Sequence, residues 1–555
     1  MKRLILVVLC VWVSVAGLQA APAPATRELG IEKRYLNLPV KNKAPKQRVK
    51  LLVEGQVTRE FEIELAEGEP DFWVFLDLAP FQRKHAVIQT DQLPTNSRAL
   101  LAIGQSDQIN GAENLYRETL RPQFHFSSRR GWNNDPNGLV YYQGEYHLFY
   151  QHNPYGWEWG NMHWGHAVST DLVHWQELPI AIYPHQFGDW VFSGSAVVDH
   201  ANTGGFQCGK EPPLVAAYTS TGRGECIAFS NDRGRTWAEF SGNPVVRHEG
   251  RDPRLLWHSP TKRWVMAVYD ELERKRWIAF YTSADLKQWK FESRIEGFFE
   301  CPDLFELPVD GKPTERLWVL TAASSEYRLG MFDGRQFTPQ TPMLPGHRGN
   351  AFYAAQTYSD IPAQDARRIQ IGWGQIATPG MPFNQMMTFP CELTLRSTAD
   401  GPRLYFQPVK ELERLHGARH ARSPLILAPG TNALAGIQGD LFDVRAQFTV
   451  GSTGEVRLLV RGMPVVYDAT KQELVCQNRR NPLRPVDDKV RLQLLVDRTS
   501  LEIFGNDGLL YMPMAAKFTP DDHSLLLTSA GSTVRFDTLE VNELRSIWPR
   551  KEQPP

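Results

Sequence analysis

The chain has 555 residues, of which 42% are hydrophobic, 11% aromatic and 22% charged, a composition typical of a globular protein with several cores. Its formal net charge of -1 gives no electrostatic basis for nucleic acid or an acidic membrane surface as a partner. At roughly 100–200 residues per domain, the length predicts about three domains.

The first 20 residues have the layout of a secretory signal peptide. Lys2 and Arg3 precede an apolar run at residues 4–18, and the small residues Ala20 and Ala21 follow. Because the run is short for a membrane span, we predict cleavage near Ala20 and export to the periplasm or the medium. The alternative is an uncleaved membrane anchor.

The cysteines favour neither a disulfide framework nor a metal site. Beyond Cys10 there are five, which is an odd number, and no CxxC pair occurs among them. We therefore expect stability to come from large cores, with a bridge between Cys208 and Cys226 as the one pairing considered. No metal or organic cofactor is predicted.

Residues 28–110 are predicted to form a small N-terminal β-sandwich. Apolar and polar residues alternate at 49–53 and 61–65, and an aromatic-rich run follows at 72–78. Short strands at this spacing are typical of a sandwich. Nothing in this segment indicates catalysis.

Residues 119–410 contain a repeated motif in which Ser-x-Asp precedes a Trp. The copies lie at 169–175, 230–237 and 283–289, each between two apolar runs. We interpret the polar part as a hairpin turn and the Trp as the start of the next strand. Recurrence of the motif about every 50–60 residues favours the blades of a β-propeller, with chance similarity among hairpins as the alternative.

The remaining chain is predicted to form a second sandwich. Residues 411–422 are assigned to a linker that begins as a short helix, and residues 423–548 to a C-terminal β-sandwich. Alternating runs at 490–497 and 501–504 support that assignment, with a turn at 506–508.

Three short acidic motifs could carry chemistry. They are WNNDPNG at 132–138 with Asp135, RDP at 251–253 with Asp252, and ECPD at 300–303 with Glu300. Alone, the first two are ordinary turn sequences and the third is a surface loop. Together they predict a catalytic site, because strands from different blades end around one channel and glycoside cleavage needs two carboxyl groups.

The sequence resembles glycoside hydrolase family 32, the β-fructosidases that include invertases, inulinases and levanases. The resemblance spans roughly residues 119–545 and rests on an ordered set of motifs. Besides the three acidic motifs, the set comprises HF at 125–126, YQHNP at 150–154, WEWG at 157–160, HWGHA at 163–167, FSGS at 192–195 and GW at 372–373. One departure is Asn133, where many members carry Met.

The resemblance implies an all-β fold, with a five-bladed propeller followed by a C-terminal sandwich, and it implies roles for ten residues. Asp135 matches the nucleophile, Glu300 the acid/base, and Asp252 the carboxylate that binds fructose hydroxyls and stabilises the transition state. The positions that line the fructose pocket are Asn134, Gln151, Trp159, Phe192, Ser193, Arg251 and Trp373. The N-terminal segment resembles an accessory sandwich of some bacterial levanase-like members.

The resemblance predicts a retaining hydrolase that releases terminal fructose from levan, inulin or sucrose through a covalent fructosyl-enzyme, and the signal peptide predicts its secretion. In that site we expect hydrogen bonds to keep the pKa of Asp135 low and Arg251 to help keep Asp252 ionised. A fructosyltransferase and a non-catalytic fructan-binding protein are the alternatives. A relative that acts on pentose polymers is less favoured by the motifs. His163 and His166 lie on a predicted strand, where they point to opposite faces, and this placement disfavours a shared metal.

Overall fold

The computed structural model describes residues 25–91, 93–94, 96–519 and 521–548. The predicted signal peptide at 1–20, including Cys10, lies outside these residues. Within them the protein is all-β: a small N-terminal β-sandwich, a five-bladed β-propeller and a C-terminal β-sandwich follow one another along the chain. The predicted fold class is confirmed.

The N-terminal sandwich has two antiparallel sheets. The first contains, in spatial order, β1 (Ala25–Gly30), β6 (His85–Thr90), β3 (Gln47–Val53) and β4 (Gln56–Ile63), and the second contains β5 (Phe72–Asp77), β2 (Tyr35–Val40) and β7 (Gly104–Ser106). The short helix α1 (Arg98–Ala102) and the 3-10 turns Ala79–Phe81 and Ala112–Asn114 complete it. Buried and partly exposed residues alternate along β3 and β5, so the period of two in the sequence does mark their inward faces.

The propeller is built from five sheets, each with four antiparallel main strands. Blade I has β8 (Gly131–Tyr142), β9 (Glu145–Asn153), β10 (His163–Ser169) and β11 (Gln176–Ile182), and blade II has β12 (Val191–Val198), β13 (Leu214–Ser220), β14 (Gly224–Ser230) and β15 (Ala238–Glu239). Blade III has β16 (Arg251–His258), β17 (Arg263–Leu272), β18 (Lys275–Ser283) and β19 (Lys290–Glu296), and blade IV has β20 (Asp303–Pro308), β21 (Arg316–Thr321), β22 (Tyr327–Phe332) and β23 (Phe337–Pro339).

Blade V closes the ring. It has β24 (Tyr353–Thr357), β25 (Arg368–Gly374), β28 (Cys391–Arg396) and β29 (Arg403–Pro408), while the short β27 (Met386–Met387) pairs with β25 and β26 (Phe383–Asn384) runs parallel to β8. The first strands of successive blades contact one another in order, and β24 contacts β8 again. Ser359 seals that joint, because its backbone amide donates to the Leu139 carbonyl and its own carbonyl accepts from the Tyr141 amide.

The repeated motif is a turn between the third and fourth strands of blades I to III. Ser169, Ser230 and Ser283 each end a strand, and the Trp of each copy stands one residue before the next strand. In every copy the serine hydroxyl donates to Oδ1 of the motif aspartate over 2.8–3.1 Å, and that oxygen also accepts a backbone amide from later in the turn. The interpretation of the repeat as hairpin turns of propeller blades is therefore confirmed.

The C-terminal sandwich follows a 3-10 turn at Lys410–Leu415. One sheet contains β30 (His416–Ala421), β41 (Val534–Leu544), β32 (Phe442–Thr449), β37 (Val490–Val496), β38 (Ser500–Gly505) and β39 (Leu510–Ala515), with β31 (Leu425–Leu427) paired to β41. The other contains β36 (Arg479–Pro482), β35 (Glu473–Cys476), β34 (Met463–Asp468), β33 (Glu455–Val460) and β40 (Leu525–Ala530). Strand β30 falls within the range assigned to the linker.

The propeller and the C-terminal sandwich share a buried charged cluster. His125 is 1% exposed, and its two ring nitrogens lie 2.8 Å from Oδ2 of Asp497 and 3.1 Å from Oε1 of Glu502. Burial opposes the imidazolium charge, but the hydrogen bonds and charges of the two carboxylates prevail and raise the pKa of His125 to about 9. Two carboxylates of the C-terminal sandwich thus hold His125, the first residue of the HF motif, in place.

All five cysteines of the described chain are free thiols, so the bridge considered between Cys208 and Cys226 is wrong. Cys208 is exposed, whereas Cys226 is buried in β14.

His163 and His166 lie on β10, as predicted. Among the residues that the structure describes, no helix is both long enough and apolar enough to cross a membrane.

Candidate active site

The first strands of the blades break their regular pairing where the motif residues stand. The register of β8 shifts between Asn133 and Pro136, that of β12 between Val191 and Gly194, and that of β16 between Arg251 and Arg254. Such bulges re-aim side chains and commonly lie beside active sites. They turn Asp135, Ser193 and Asp252 out of the sheet pattern at one end of the central channel.

Blade IV contributes the ECPD motif, whose last residue, Asp303, begins β20. The backbones of Glu300 and Cys301 have φ angles of 55° and 40°, and that of Asp252 has φ of 68°. Left-handed backbone at residues other than glycine costs of order 1–3 kcal/mol, and it concentrates at functional sites. Two of the three motif carboxylates therefore stand on strained backbone that the surrounding fold maintains.

The thiol of Cys301 lies between two of the carboxylates. Its Sγ is 3.6 Å from Oδ2 of Asp135 and 3.5 Å from Oδ2 of Asp252. The Cys301 amide also donates to Oδ2 of Asp252 over 3.0 Å, and the Asp252 amide donates to Oγ1 of Thr219 over 2.9 Å. Segments from several blades thus meet within one hydrogen-bonded cluster.

Besides the Cys301 thiol, two side chains donate hydrogen bonds to Asp135. Nδ2 of Asn134 donates to its Oδ1 over 2.9 Å, and the Ser193 hydroxyl donates to its Oδ2 over 2.6 Å. The indole nitrogen of Trp132 donates to Oδ1 of Asn134 over 2.8 Å, so the Asn134 amide presents its nitrogen to the carboxylate. Both Asn134 and Ser193 are 5% exposed, and these contacts fix the direction of the Asp135 carboxylate.

Glu300 is held by groups from two other blades. Arg251 donates from Nε over 3.1 Å and also from Nη2 to Oε1. The phenol of Tyr353 donates to Oε2 over 2.7 Å. The Glu300 side chain keeps 21% of its surface exposed, so this carboxyl group is both oriented and accessible to a ligand in the channel mouth.

The expectation that hydrogen bonds keep the pKa of Asp135 low is wrong. Burial, with a contribution from the charge of Glu300, raises the pKa of Asp135 even though Ser193 and Asn134 oppose it. Burial and the charge of Asp135 raise the pKa of Asp252 to about 7. Arg251 stands 3.8 Å from Asp252 and its charge lowers that pKa, but burial and the charge of Asp135 outweigh it.

The predicted pocket residues divide into a buried floor and an exposed rim. Gln151 is 2% exposed and its Nε2 donates to the Val191 carbonyl over 3.0 Å. Trp159 is 49% exposed and meets Phe192 edge to face at 6.0 Å. Neither Gln151 nor Trp159 has a hydrogen bond to the three carboxylates within the described chain. An aromatic rim above a buried polar floor suits a sugar ring, which has apolar faces and hydroxyl edges.

Trp373 reaches the site through other aromatic rings. Its ring packs edge to face against Tyr353 at 6.2 Å and Trp132 at 5.9 Å, and its indole nitrogen donates to Oε1 of Gln385 over 3.1 Å.

Tyr353 and Cys301 contact the carboxylates directly, yet the sequence reasoning assigned neither a role. Cys301 lies inside the ECPD motif, and that position is the signal that could have identified it.

Three segments of the chain match known protein families. Residues 125–408 match the glycosyl hydrolases family 32 N-terminal domain, and residues 411–543 match the glycosyl hydrolases family 32 C terminal. Residues 26–113 match a domain of unknown function, DUF4980.

Individual proteins are similar over most of the chain. A levanase of Bacillus subtilis is 41% identical over 78% of this chain and 72% of its own length. An extracellular exo-inulinase of Aspergillus niger is 32% identical over 78% of this chain and 96% of its own length. The crystal structure of an exo-inulinase from Aspergillus awamori superposes with a TM-score of 0.70 at 30% identity, covering 78% of this chain and 100% of that one.

Proposed function

Because the chain belongs to glycosyl hydrolase family 32 and is a glycoside hydrolase acting on fructans, we propose that it releases terminal fructose by a retaining mechanism. The observation that carries the proposal is the cluster at the channel mouth. Asp135 and Asp252 both contact Cys301, and Glu300 is the preceding residue in the chain. Carboxyl groups from three blades can therefore act on one bound sugar.

In the first step, a carboxylate oxygen of Asp135 attacks the anomeric C2 of the terminal fructose. The bond between C2 and the leaving oxygen breaks, and Glu300 donates its proton to that oxygen. The product is a covalent fructosyl ester on Asp135. Asn134 and Ser193 hold the attacking carboxylate in one orientation, which reduces the entropic part of the barrier.

In the second step, water attacks C2 of the fructosyl ester while Glu300 accepts the proton of that water. The bond between C2 and Asp135 breaks, and fructose leaves with its original configuration. Asp252 stands beside both reacting groups and accepts a hydrogen bond from the Cys301 amide. We assign it to the fructose hydroxyls and to the positive charge that develops on the ring in the transition state.

The test is product analysis on levan, inulin and sucrose for the wild type and for Glu300→Gln. We expect fructose alone from the polymers and a loss of activity of about 10²–10⁴-fold in the variant, the range that general acid–base catalysis contributes. The matched control is Glu306→Gln in the same blade, because Glu306 pairs with Arg316 instead. Oligosaccharides as first products would contradict exo action, and new fructosyl oligosaccharides would identify a transferase.

The covalent intermediate needs a separate measurement. With methanol as acceptor, retention gives methyl β-fructofuranoside, and inversion gives the α-anomer. Mass spectrometry of a quenched reaction should show a fructosyl group on the peptide that contains Asp135. Binding of levan without any turnover by the wild type would instead leave a non-catalytic fructan-binding protein.

Export is the remaining part of the proposal. Residues 1–20 carry the charged start, apolar run and small-residue end of a signal peptide, and a relative named extracellular exo-inulinase shares 32% identity. N-terminal sequencing of the protein recovered from the periplasm or medium should begin near Ala21. A chain that retains Met1 and pellets with membranes would contradict cleavage.

A further inference from the structure

The loop between β9 and β10 connects the N-terminal sandwich to the rim of the candidate active site. We call residues 154–162 the Trp159 loop. Its tip is exposed at Glu158 and Trp159, while Tyr155 and Asn161 on either side are buried. The tip itself makes few contacts: Trp159 meets Phe192 edge to face, and the Glu158 carbonyl accepts a hydrogen bond from Asn153. The position of the tip therefore depends on how the two ends of the loop are held.

The first end of the loop is part of the N-terminal core. Tyr155 is 1% exposed and belongs to the same cluster of buried side chains as the inward residues of the N-terminal sandwich. Its ring stacks on Phe61 of β4 with centroids 3.7 Å apart. Trp157 packs against that cluster as well. A large aromatic side chain of the loop thus completes a core that is otherwise supplied by the accessory sandwich.

The second end of the loop is joined to the N-terminal sandwich by a pair of hydrogen bonds. Oδ1 of Asn161 accepts from the backbone amide of Glu62 over 3.0 Å, and its Nδ2 donates to the Glu62 carbonyl over 2.8 Å. Asn161 is 5% exposed and has φ of 41°. Asparagine tolerates this left-handed backbone better than most residues, and the paired bonds to β4 hold it there.

The propeller holds the loop as well. Oδ1 of Asn153 at the end of β9 accepts from the Tyr155 amide and from Nδ2 of Asn161, both over 3.1 Å. The indole nitrogen of Trp157 donates to the Phe383 carbonyl over 3.1 Å, and the Asn384 amide donates to the Trp157 carbonyl over 3.0 Å. Further contacts dock the sandwich on blade I and the segment after it: Arg59 stacks on Tyr183 at 3.7 Å. The residues before and after the tip therefore rest on β4, and β4 is itself docked on the propeller.

We propose that the N-terminal sandwich functions as a component of the substrate-binding site, by holding the Trp159 loop so that Trp159 forms the rim of the pocket. A side chain that is already ordered before substrate arrives loses no conformational freedom on binding. Binding is therefore stronger without any new contact. The proposal rests on the proposed role of Trp159 in sugar binding. It assigns Phe61 and Asn161 as positioning residues.

The test is a double-mutant cycle in the full chain with Phe61→Ala and Trp159→Ala, read as kcat and KM on sucrose. Each single variant should raise KM by roughly three- to tenfold with little change in kcat, the size expected from losing the ordering of one large side chain. In the Trp159→Ala background, Phe61→Ala should raise KM no further, because both act through the same ring. Additive effects would overturn the proposal.

Asn161→Ala provides a second variant in case Phe61→Ala does not fold. It leaves the stacking of Phe61 on Tyr155 in place and removes the side-chain hydrogen bonds of Asn161 to Glu62 and Asn153, with added strain at its left-handed backbone. The matched control is Leu36→Ala, a buried residue of β2 in the opposite sheet, which should lower stability and leave KM unchanged. Unchanged KM in Trp159→Ala would refute the role of Trp159 and this proposal with it. Raised KM in Trp159→Ala but not in Phe61→Ala or Asn161→Ala would overturn this proposal alone.

Discussion

Tyr353 donates a 2.7 Å hydrogen bond from its phenol to Oε2 of Glu300, although 53 positions separate the two residues. The bond joins blade V to the segment that precedes blade IV, and Arg251 of blade III holds the other oxygen of the same carboxyl group. The candidate acid/base is thus fixed between two blades that are not its own. Its geometry depends on how blades III, IV and V pack beside one another.

Tyr353→Phe should lower kcat on sucrose by about one to two orders of magnitude, a part of the 10²–10⁴-fold that general acid–base catalysis contributes. The aromatic ring and its edge-to-face contact with Trp373 at 6.2 Å remain, so only the hydrogen bond that orients Glu300 is lost. Steady-state kinetics checks this, and KM should change little. Tyr358→Phe is the control, because the buried Tyr358 hydroxyl has no partner within the described residues. Equal kinetics for both variants would contradict the prediction.

Ser193→Ala should move the acid limb of the pH profile of kcat/KM upward by about one to two pH units, since a hydrogen bond to a charged group is worth roughly 1.5–3 kcal/mol. The Ser193 hydroxyl donates to Asp135 and lowers its pKa, against burial, which raises it. Without that hydroxyl the pKa rises further. Because the nucleophile must be ionised, activity is then lost at a higher pH.

The conservative variant Ser193→Thr keeps a hydroxyl beside Asp135. We expect its acid limb to stay near that of the wild type, even if the added methyl group changes KM. An acid limb that moves equally in the Ala and Thr variants would show that the hydroxyl does not set the ionisation of Asp135.

The sequence motifs predicted which carboxylates meet, but not the groups that hold them. Tyr353 stands in a run of small and aromatic residues with no polar signal, and it reaches Glu300 because blade V packs beside blade IV. The raised pKa of Asp135 has the same origin: turn chemistry in WNNDPNG is local, whereas burial comes from the assembled blades. The predicted domain bounds stay predictions, as do the catalytic roles.

Strand β30 of the C-terminal sandwich likewise could not be predicted from its own sequence. Its sequence, HGARHA, has no apolar alternation, and its residues are mostly exposed. It becomes a strand by pairing with β41, so composition alone assigned it to a linker. Strand β37 was predictable because apolar residues alternate along it and mark its buried face. Strand β38 also alternates in sequence, but all six of its residues are buried.

His125→Gln should destabilise the joint between propeller and sandwich by about 3–5 kcal/mol below pH 6.5, because it leaves two buried carboxylates without their cation. The folded pKa of His125 is raised to about 9 from the ordinary 6.5. The stabilisation is therefore fully present below about pH 6.5 and is lost as pH rises through about 9. Chemical denaturation of both proteins across this range measures the difference.

The control for that series is His200→Gln. His200 pairs with Asp360 at 3.3 Å, but its side chain is 68% exposed, so we expect a change within about 0.5 kcal/mol. A difference between wild type and His125→Gln that stays constant from about pH 6 to about pH 10 would mean that the charge of His125 does not stabilise the joint.

Cys301 should resist alkylation in the native enzyme although it stands in the candidate active site. Burial and the neighbouring charges of Asp252 and Asp135 raise its pKa well above the ordinary value, and the thiolate is the form that reacts. With iodoacetamide near neutral pH, peptide mapping should show the exposed Cys208 modified first, while activity is retained. Modification of Cys301 as fast as Cys208, with parallel loss of activity, would contradict the prediction and indicate that the carboxylates around the thiol are protonated or farther away in solution.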